Sequence, residues 1–392
     1  MPTPAAGRYF LQVPGPTVVP DRVLKAMAMP LLDHRGPQFS SFAAKISADL
    51  KKLFHTDNAV MIFPSSGTGA WQAAFCNTMS PGDTVLLPEV GMFSTLWGNN
   101  ARAMGLEVIE IPGDWRSGID AGKVEEALRS DTDGRIKAVL AVHNETSTGV
   151  TSDIPAVRAA MNAAGHDAML FVDTISSLAA MEYRHDAWGV DVTICGSQKG
   201  FMLPPGLSFT VASEKARAAV ESATLPKGYF EWAPVITAAG NGLYPYTPPV
   251  SMFYGLREAV DMLLGEGLEN VFARHARLAK ATRAAVSAWG LENQSINESE
   301  HSNAVTAIRM PDGDDADAFR AMVLDKFDMS LAAGLGKVAG VVFRIGHLGY
   351  QNDLTLLGAL SGVEMGLGLA GIKHEKGGVE AAMKVISDAA SA

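Results

Sequence analysis

The chain has 392 residues, 47% of them hydrophobic, which is enough for a large buried core and more than one ordinary domain holds. Its net charge of −10, with the basic residues scattered, argues against binding nucleic acid or an anionic membrane through a broad positive field. Cys76 and Cys195 give neither a disulfide framework nor zinc spacing, and 1–8 carries no basic-then-apolar leader, so a reducing cytoplasm is the expected setting.

The first stretch, 1–19, is expected to pack back onto the larger of two domains. From about Asp57 to Ser213 short apolar runs alternate with helix-like stretches. The runs lie at 59–63, 84–87, 138–142, 169–172, 190–194 and 207–211, with amphipathic segments such as 154–164 between them. That alternation predicts βαβ units and an α/β fold with a mainly parallel sheet covered on both faces. After a proline-punctuated segment at 244–249, Leu268, Val271, Phe272, Leu278, Ala279, Ala285, Val286 and Trp289 recur at helical spacing. A smaller α/β set follows, with strands at 304–309 and 340–345 and helices at 316–327 and 354–369. The expected division is 1–267 for a large domain that includes the N-terminal segment, and 268–392 for a small C-terminal domain.

The chemistry-bearing residues come in the same order. Phe63-Pro64-Ser65-Ser66-Gly67-Thr68-Gly69-Ala70 stands between a strand and an apparent helix at 71–79. Glycines let backbone N–H groups approach a phosphate, and Ser66 and Thr68 add hydroxyl donors. No Gly-Lys-Ser/Thr follows, so this is not a Walker loop; a plain structural turn is the alternative. Next, Val90-Gly91-Met92-Phe93-Ser94 puts an aromatic beyond a strand end, where it either stacks on a flat ring or fills core. The apolar run Met169-Leu170-Phe171-Val172 ends in Asp173, at the edge where open α/β sheets bind ligands. An aspartate there also serves as a helix N-cap.

About one βαβ crossover further on, Ile194-Cys195-Gly196-Ser197-Gln198-Lys199-Gly200 sets a single lysine in apolar company. Burial lowers a lysine pKa and frees the lone pair that attack on an aldehyde cofactor requires. A surface-loop lysine after a strand is the other reading. Finally, Phe343-Arg344-Ile345-Gly346-His347 places an arginine inside an apolar strand, which is costly unless the arginine is paired. A substrate carboxylate would pair it, and so would an internal Asp or Glu. In this order the five features match the parts of a pyridoxal-phosphate (PLP) enzyme of fold type I, whose acid keeps the pyridine nitrogen protonated. The nine histidines include no helix-spaced pair backed by an acid, which disfavours a metal enzyme.

Longer motifs sharpen the reading. Pro14-Gly15-Pro16-Thr17, Asp33-His34-Arg35, Ser66-Gly67-Thr68-Gly69, His143-Asn144-Glu145-Thr146, Val172-Asp173, Gly196-Ser197-Gln198-Lys199-Gly200, Tyr244-Pro245-Tyr246-Thr247-Pro248-Pro249 and Phe343-Arg344-Ile345-Gly346 span nearly the whole chain. The sequence resembles class V aminotransferases, in particular the serine–glyoxylate and alanine–glyoxylate branch. The resemblance implies fold type I, with a large domain built on a seven-stranded, mainly parallel sheet and a smaller C-terminal α/β domain.

It also implies roles. Lys199 would link covalently to PLP and later move the substrate proton. Asp173 would pair with the pyridine nitrogen and Phe93 would stack on the ring. Ser66, Gly67, Thr68 and Gln198 would hold the phosphate. Thr146 would lie near the ring hydroxyl and the substrate, and Arg344 would clamp the substrate carboxylate. Tyr244 and Thr247 would reach the phosphate of a neighbouring subunit, which implies a homodimer with shared sites. The implied reaction moves an amino group from an L-amino acid, serine favoured, to glyoxylate, giving glycine and a 2-oxo acid. Aspartate–glyoxylate transamination is the alternative.

Lys227 and Arg35 are candidates to meet a side-chain carboxylate, with 225–244 helping to shape the site. His34 and His347 are candidates for the pocket wall. Sulfur transfer would need a nucleophilic cysteine in a mobile loop, which neither Cys76 nor Cys195 offers. A PLP lyase and a non-catalytic binding protein remain as further alternatives.

Overall fold

A computed structural model describes Gly7 and residues 9–391. Seven strands form the larger sheet, in the order Val60–Ser65, Gly206–Ala212, Val192–Gly196, Met169–Asp173, Ile136–Val142, Thr84–Pro88 and Glu107–Ile111. Gly206–Ala212 runs antiparallel to both neighbours, and the other pairings are parallel. The central strands are buried along their whole length, because helices cover both faces. That is why they read as unbroken apolar runs in the sequence. Glu107–Ile111 is largely exposed and carries Glu107 and Glu110, so no apolar run marks it. Charge on an edge strand also discourages pairing with another chain.

Local signals set the helix ends. The helix Ile154–Ala164 begins where the Asp153 side chain accepts from the Ala156 amide, has Pro155 in its first turn, and stops at Gly165 with φ 64°. The link between Met169–Asp173 and Val192–Gly196 departs from expectation. The two strands are neighbours, with Asp173 opposite Ile194. Residues 174–191, however, form successive turns instead of a crossover helix. Thr174 starts them by donating both its amide and its hydroxyl to the Ile194 carbonyl, which diverts the backbone from a helical path.

The smaller sheet has the order Phe10–Gln12, Met329–Ala333, Val342–Gly346, Val305–Arg309, Glu292–Asn293. Its first strand corrects the expectation that the N-terminal stretch packs on the larger domain. Phe10–Gln12 pairs in parallel with Met329, Ser330 and Leu331, whose open edge needs a partner for its backbone groups. The chain then crosses over. Thr17 donates its amide to the Gln198 carbonyl and its hydroxyl to the Lys199 carbonyl, both at 3.0 Å.

Two apolar cores result: Val271 still belongs to the larger and Leu278 to the smaller. Gly267, with φ 84°, separates the helices Val250–Glu266 and Leu268–Ala288. Among the described residues no helix is long and apolar enough to cross a membrane.

The crossing strap is packed tightly against the strand that carries Arg344. A Cβ on Gly346 would lie 2.3 Å from the Val13 carbonyl carbon, and backbone cannot yield as a flexible side chain would. Gly346→Ala is expected to destabilise the fold by about 1–3 kcal/mol. The measurements are a lower denaturation midpoint and faster proteolysis within residues 9–17; wild-type values for both would contradict the packing.

Candidate active site

The strand Val192–Gly196 delivers Lys199 into a short, pinned loop. The Ser197 hydroxyl donates to the Pro204 carbonyl at 2.7 Å and accepts from the Leu207 amide at 3.1 Å, while Met202 takes a left-handed φ of 56°. Lys199 is 8% exposed, and its Nζ donates to the Pro14 carbonyl at 2.9 Å. Gly15 lies against the lysine stem, where a Cβ would come within 2.3 Å of Cδ and 2.6 Å of Nζ. Burial first and Arg344 second lower the amine to a pKa of about 8, against the pull of Asp173 and Glu145.

Asp173 faces the same cavity from the end of Met169–Asp173. Its Oδ2 accepts from the Trp71 indole N–H and its Oδ1 from the Ile175 amide, both at 2.8 Å. Burial pushes its carboxyl up to about 7, although those two donors and Lys199 favour the ionised form. Trp71 is a site residue that the sequence did not reveal. Its only local mark is an aromatic one turn into the helix Gly67–Thr78, and core packing against Trp97, stacked at 5.8 Å and 14°, explains that equally.

The cavity measures about 280 Å³, and Ser66, Gly67, Thr68, Phe93, Thr146, Asp173, Gln198 and Lys199 line it together with Gly15, Trp71, Asn144 and Ser176. At Gly67 a Cβ would meet Ile175 Cδ1 at 2.1 Å, and at Gly69 it would meet Ser65 Oγ at 1.9 Å, so a larger residue at either position would have to push these side-chain tips aside. In the first turn of Gly67–Thr78 the Gly69 amide donates to the Ser66 hydroxyl at 3.5 Å, while the Gly67 and Thr68 amides have no preceding turn to accept them.

Arg344 does not line the cavity, but it touches the wall. It donates to the carbonyl of Thr146 at 2.7 Å and to that of Ala333 at 2.8 Å. Among the described residues it makes no ion pair, so the internal Asp or Glu partner considered from sequence is not there. Burial lowers its pKa to about 10, opposed by Glu145.

Other candidates lie elsewhere. Tyr244 packs against Phe39 and Phe253, and Thr247 is exposed; neither lines the cavity of its own subunit. Lys227 donates to the Ala223 carbonyl at 2.8 Å and Arg35 is exposed, so neither meets a ligand in the cavity. His347 is fully buried between Thr306 and the Asn303 carbonyl, and neither it nor His34 lines the wall. Both cysteines are buried, and burial raises Cys76 to about 11 and Cys195 higher still, which leaves no thiolate nucleophile. A larger cavity of about 640 Å³ beside Phe10–Gln12 holds none of the expected residues, and its Arg22 and Arg274 are already paired with Glu258 and Glu266.

An aldehyde-bearing, anionic, protonated-pyridine ligand suits this donor set. A partly neutral amine can attack the aldehyde, and a pyridinium would restore full charge to a carboxylate that burial holds half-protonated. The buried Oε1 of Gln198 has no hydrogen-bond partner among the described residues, so the wall still has polar capacity to spend on a ligand. Fold and site together define a PLP-dependent enzyme of fold type I.

The model of the family described as aminotransferase class-V matches residues 9–345. The chain belongs to the class V aminotransferases. It is 47% identical over 389 residues to the serine–glyoxylate aminotransferase of Methylorubrum extorquens, covering 97% of each chain. It is 46% identical over 374 residues to the L-aspartate–glyoxylate aminotransferase of Paracoccus denitrificans, covering 95% of this chain and 94% of the other. The crystal structure of pyridoxamine–pyruvate aminotransferase from Mesorhizobium loti superposes with a TM-score of 0.90 at 30% identity, over 99% of this chain and 100% of that one.

Two outcomes follow from the geometry. Trp71→Phe keeps the stacked aromatic and deletes the N–H on Asp173, so PLP affinity of the apoprotein should fall about tenfold, as for a lost hydrogen bond to a charged group. An unchanged binding isotherm would remove Trp71 from the site. Only the neutral amine attacks an aldehyde, so covalent capture of PLP should speed up as pH rises with its midpoint near 8, well below the ordinary lysine value. Stopped-flow absorbance across that range checks the sign; a midpoint at the ordinary lysine value would contradict it.

Proposed function

We propose that this enzyme transfers an amino group from an L-amino acid, serine favoured, to glyoxylate, producing glycine and a 2-oxo acid. One observation carries the reading. The sheltered Lys199 amine and the Asp173 carboxylate share one cavity, in a chain so similar to a serine–glyoxylate aminotransferase along almost its full length. The likeness to a serine–glyoxylate aminotransferase supports serine, with aspartate–glyoxylate transamination as the alternative, since an L-aspartate–glyoxylate aminotransferase is 46% identical.

When bound, PLP supplies an aldehyde and an electron-withdrawing ring. Lys199 would be the covalent anchor in this reading, and its Nζ, once free, would move the proton between the substrate Cα and C4′, the carbon that carries the aldehyde. Asp173 holds a proton on the pyridine nitrogen. Phe93 stacks on the ring face. Ser66, Gly67, Thr68 and Gln198 receive the phosphate at a helix start, and Thr146 faces the ring hydroxyl. Arg344 has donors left beyond its two carbonyl partners for the substrate carboxylate. Keto acid leaves before the acceptor enters, which is ping-pong turnover.

The same reading includes a homodimer, in which Tyr244 and Thr247 reach the phosphate of the other subunit. Their position away from their own cavity supports this. A division at 267/268 and a cytoplasmic location belong to it as well.

The test is glycine formation from glyoxylate with serine, aspartate or alanine as donor. Serine should give the highest kcat/KM, and Lys199→Ala should lower kcat by about four orders of magnitude. Comparable turnover by that variant would remove the mechanism, and a preference for aspartate would overturn the donor assignment alone.

A further inference from the structure

Phe93 stands in the first turn of the helix Met92–Ala103, whose N-cap is Gly91 and therefore brings no capping side chain. First-turn amides need acceptors from outside the helix. Here they come from a turn more than fifty residues away in sequence. The Met92 amide donates to Ser147 Oγ at 2.9 Å, and the Phe93 and Ser94 amides donate to Glu145 Oε2 at 3.0 and 3.1 Å. The other oxygen, Oε1, accepts from the Ser147 amide at 3.0 Å and its hydroxyl at 2.7 Å. Glu145 is fully buried. Gly91 makes room for it: a Cβ there would lie 2.4 Å from Glu145 Cγ.

The adjoining residue, Thr146, lines the cavity and holds Arg344 through its carbonyl. Other helices in the chain are capped by their own N-cap side chains, at Asp120, Asp153, Ser213 and Asp315. A simple cap would not require a carboxylate taken wholly out of water, which is costly even with four hydrogen bonds. What the arrangement adds is a fixed position for Phe93 relative to Arg344.

We propose that Glu145 is a positioning residue: its carboxylate locks the start of the Phe93 helix onto the Thr146 turn, so that the ring-stacking side chain and the arginine clamp are held as one rigid unit. The inference rests on the reading of Phe93 as the residue that stacks on the cofactor.

The experiment is a double-variant cycle read by binding and spectroscopy. Apoprotein is titrated with PLP, and the dichroism of the bound cofactor band is recorded for Glu145→Gln, Phe93→Leu and the pair. Gln keeps the size but offers one acceptor oxygen and turns an NH₂ toward N–H donors. Affinity should fall roughly tenfold in Glu145→Gln, as for loss of hydrogen bonds to a charged acceptor, with a weakened dichroic band. Phe93→Leu should do the same, and the pair should lose little more than either alone. Fully additive losses would overturn the proposal while leaving the Phe93 role standing. A normal isotherm for Phe93→Leu would overturn both. A lower melting temperature in Glu145→Gln with wild-type affinity and dichroism would reduce Glu145 to a structural cap and overturn the proposal. Ser147→Ala removes contacts on the same turn with less risk to folding. It should weaken binding in the same direction, and it completes the cycle with Phe93→Leu if Glu145→Gln does not fold.

Discussion

An amine and a carboxylate withdrawn from water into one small cavity constrain most of this structure. Burial penalises the charged form of both Lys199 and Asp173, and their mutual attraction only partly offsets it. Burial therefore draws both groups toward the neutral range, Lys199 down to about 8 and Asp173 up to about 7. That is a poor arrangement for stability and a useful one for chemistry, because one group must give up its proton and the other must keep its charge beside a cation. The sheet makes the arrangement possible. Adjacent parallel strands end side by side, so Asp173 and the loop bearing Lys199 emerge at the same edge.

Three chain segments close that edge. The N-terminal strap runs from the smaller sheet over the lysine stem and places the Pro14 carbonyl on its amine. The glycine-rich start of Gly67–Thr78 supplies donors and positions the Trp71 indole on Asp173. The turn after Ile136–Val142 carries Glu145 and Thr146 and reaches both the Phe93 helix and Arg344. The strap that leaves the smaller sheet lines the cavity at Gly15 and Pro16, and Arg344 of that sheet reaches the Thr146 carbonyl behind the wall. The helices Val250–Glu266 and Leu268–Ala288 meet at Gly267, which lets the chain change direction between those cores.

Much of this was legible beforehand. Strands buried on both faces announce themselves as continuous apolar runs, and six of the seven in the larger sheet lie within two residues of where those runs fall. Helix ends at Asp153 and Gly165 follow from capping chemistry alone. Glu107–Ile111 and Met329–Ala333 were not legible. The first is a charged edge, and the second, Met-Ser-Leu-Ala-Ala, is too short and too mixed to distinguish from a loop. The turns at 174–191 were misjudged because a parallel pair ordinarily needs a helical crossover, and only the Thr174 hydrogen bonds reveal the shorter route.

The amino-acid order by itself determined the α/β class and the mainly parallel sheet, and it marked Asp173 at the end of an apolar strand, Lys199 just beyond another and Arg344 inside a third as charges out of place. Those are local signals, carried by period, flanking residues and the cost of burying a charge. Tertiary structure alone decided that the N-terminal strand joins the smaller sheet, that Trp71 holds Asp173, and that Glu145 caps a distant helix. Such contacts join positions far apart in the chain, and no periodicity or neighbouring residue encodes which two will meet.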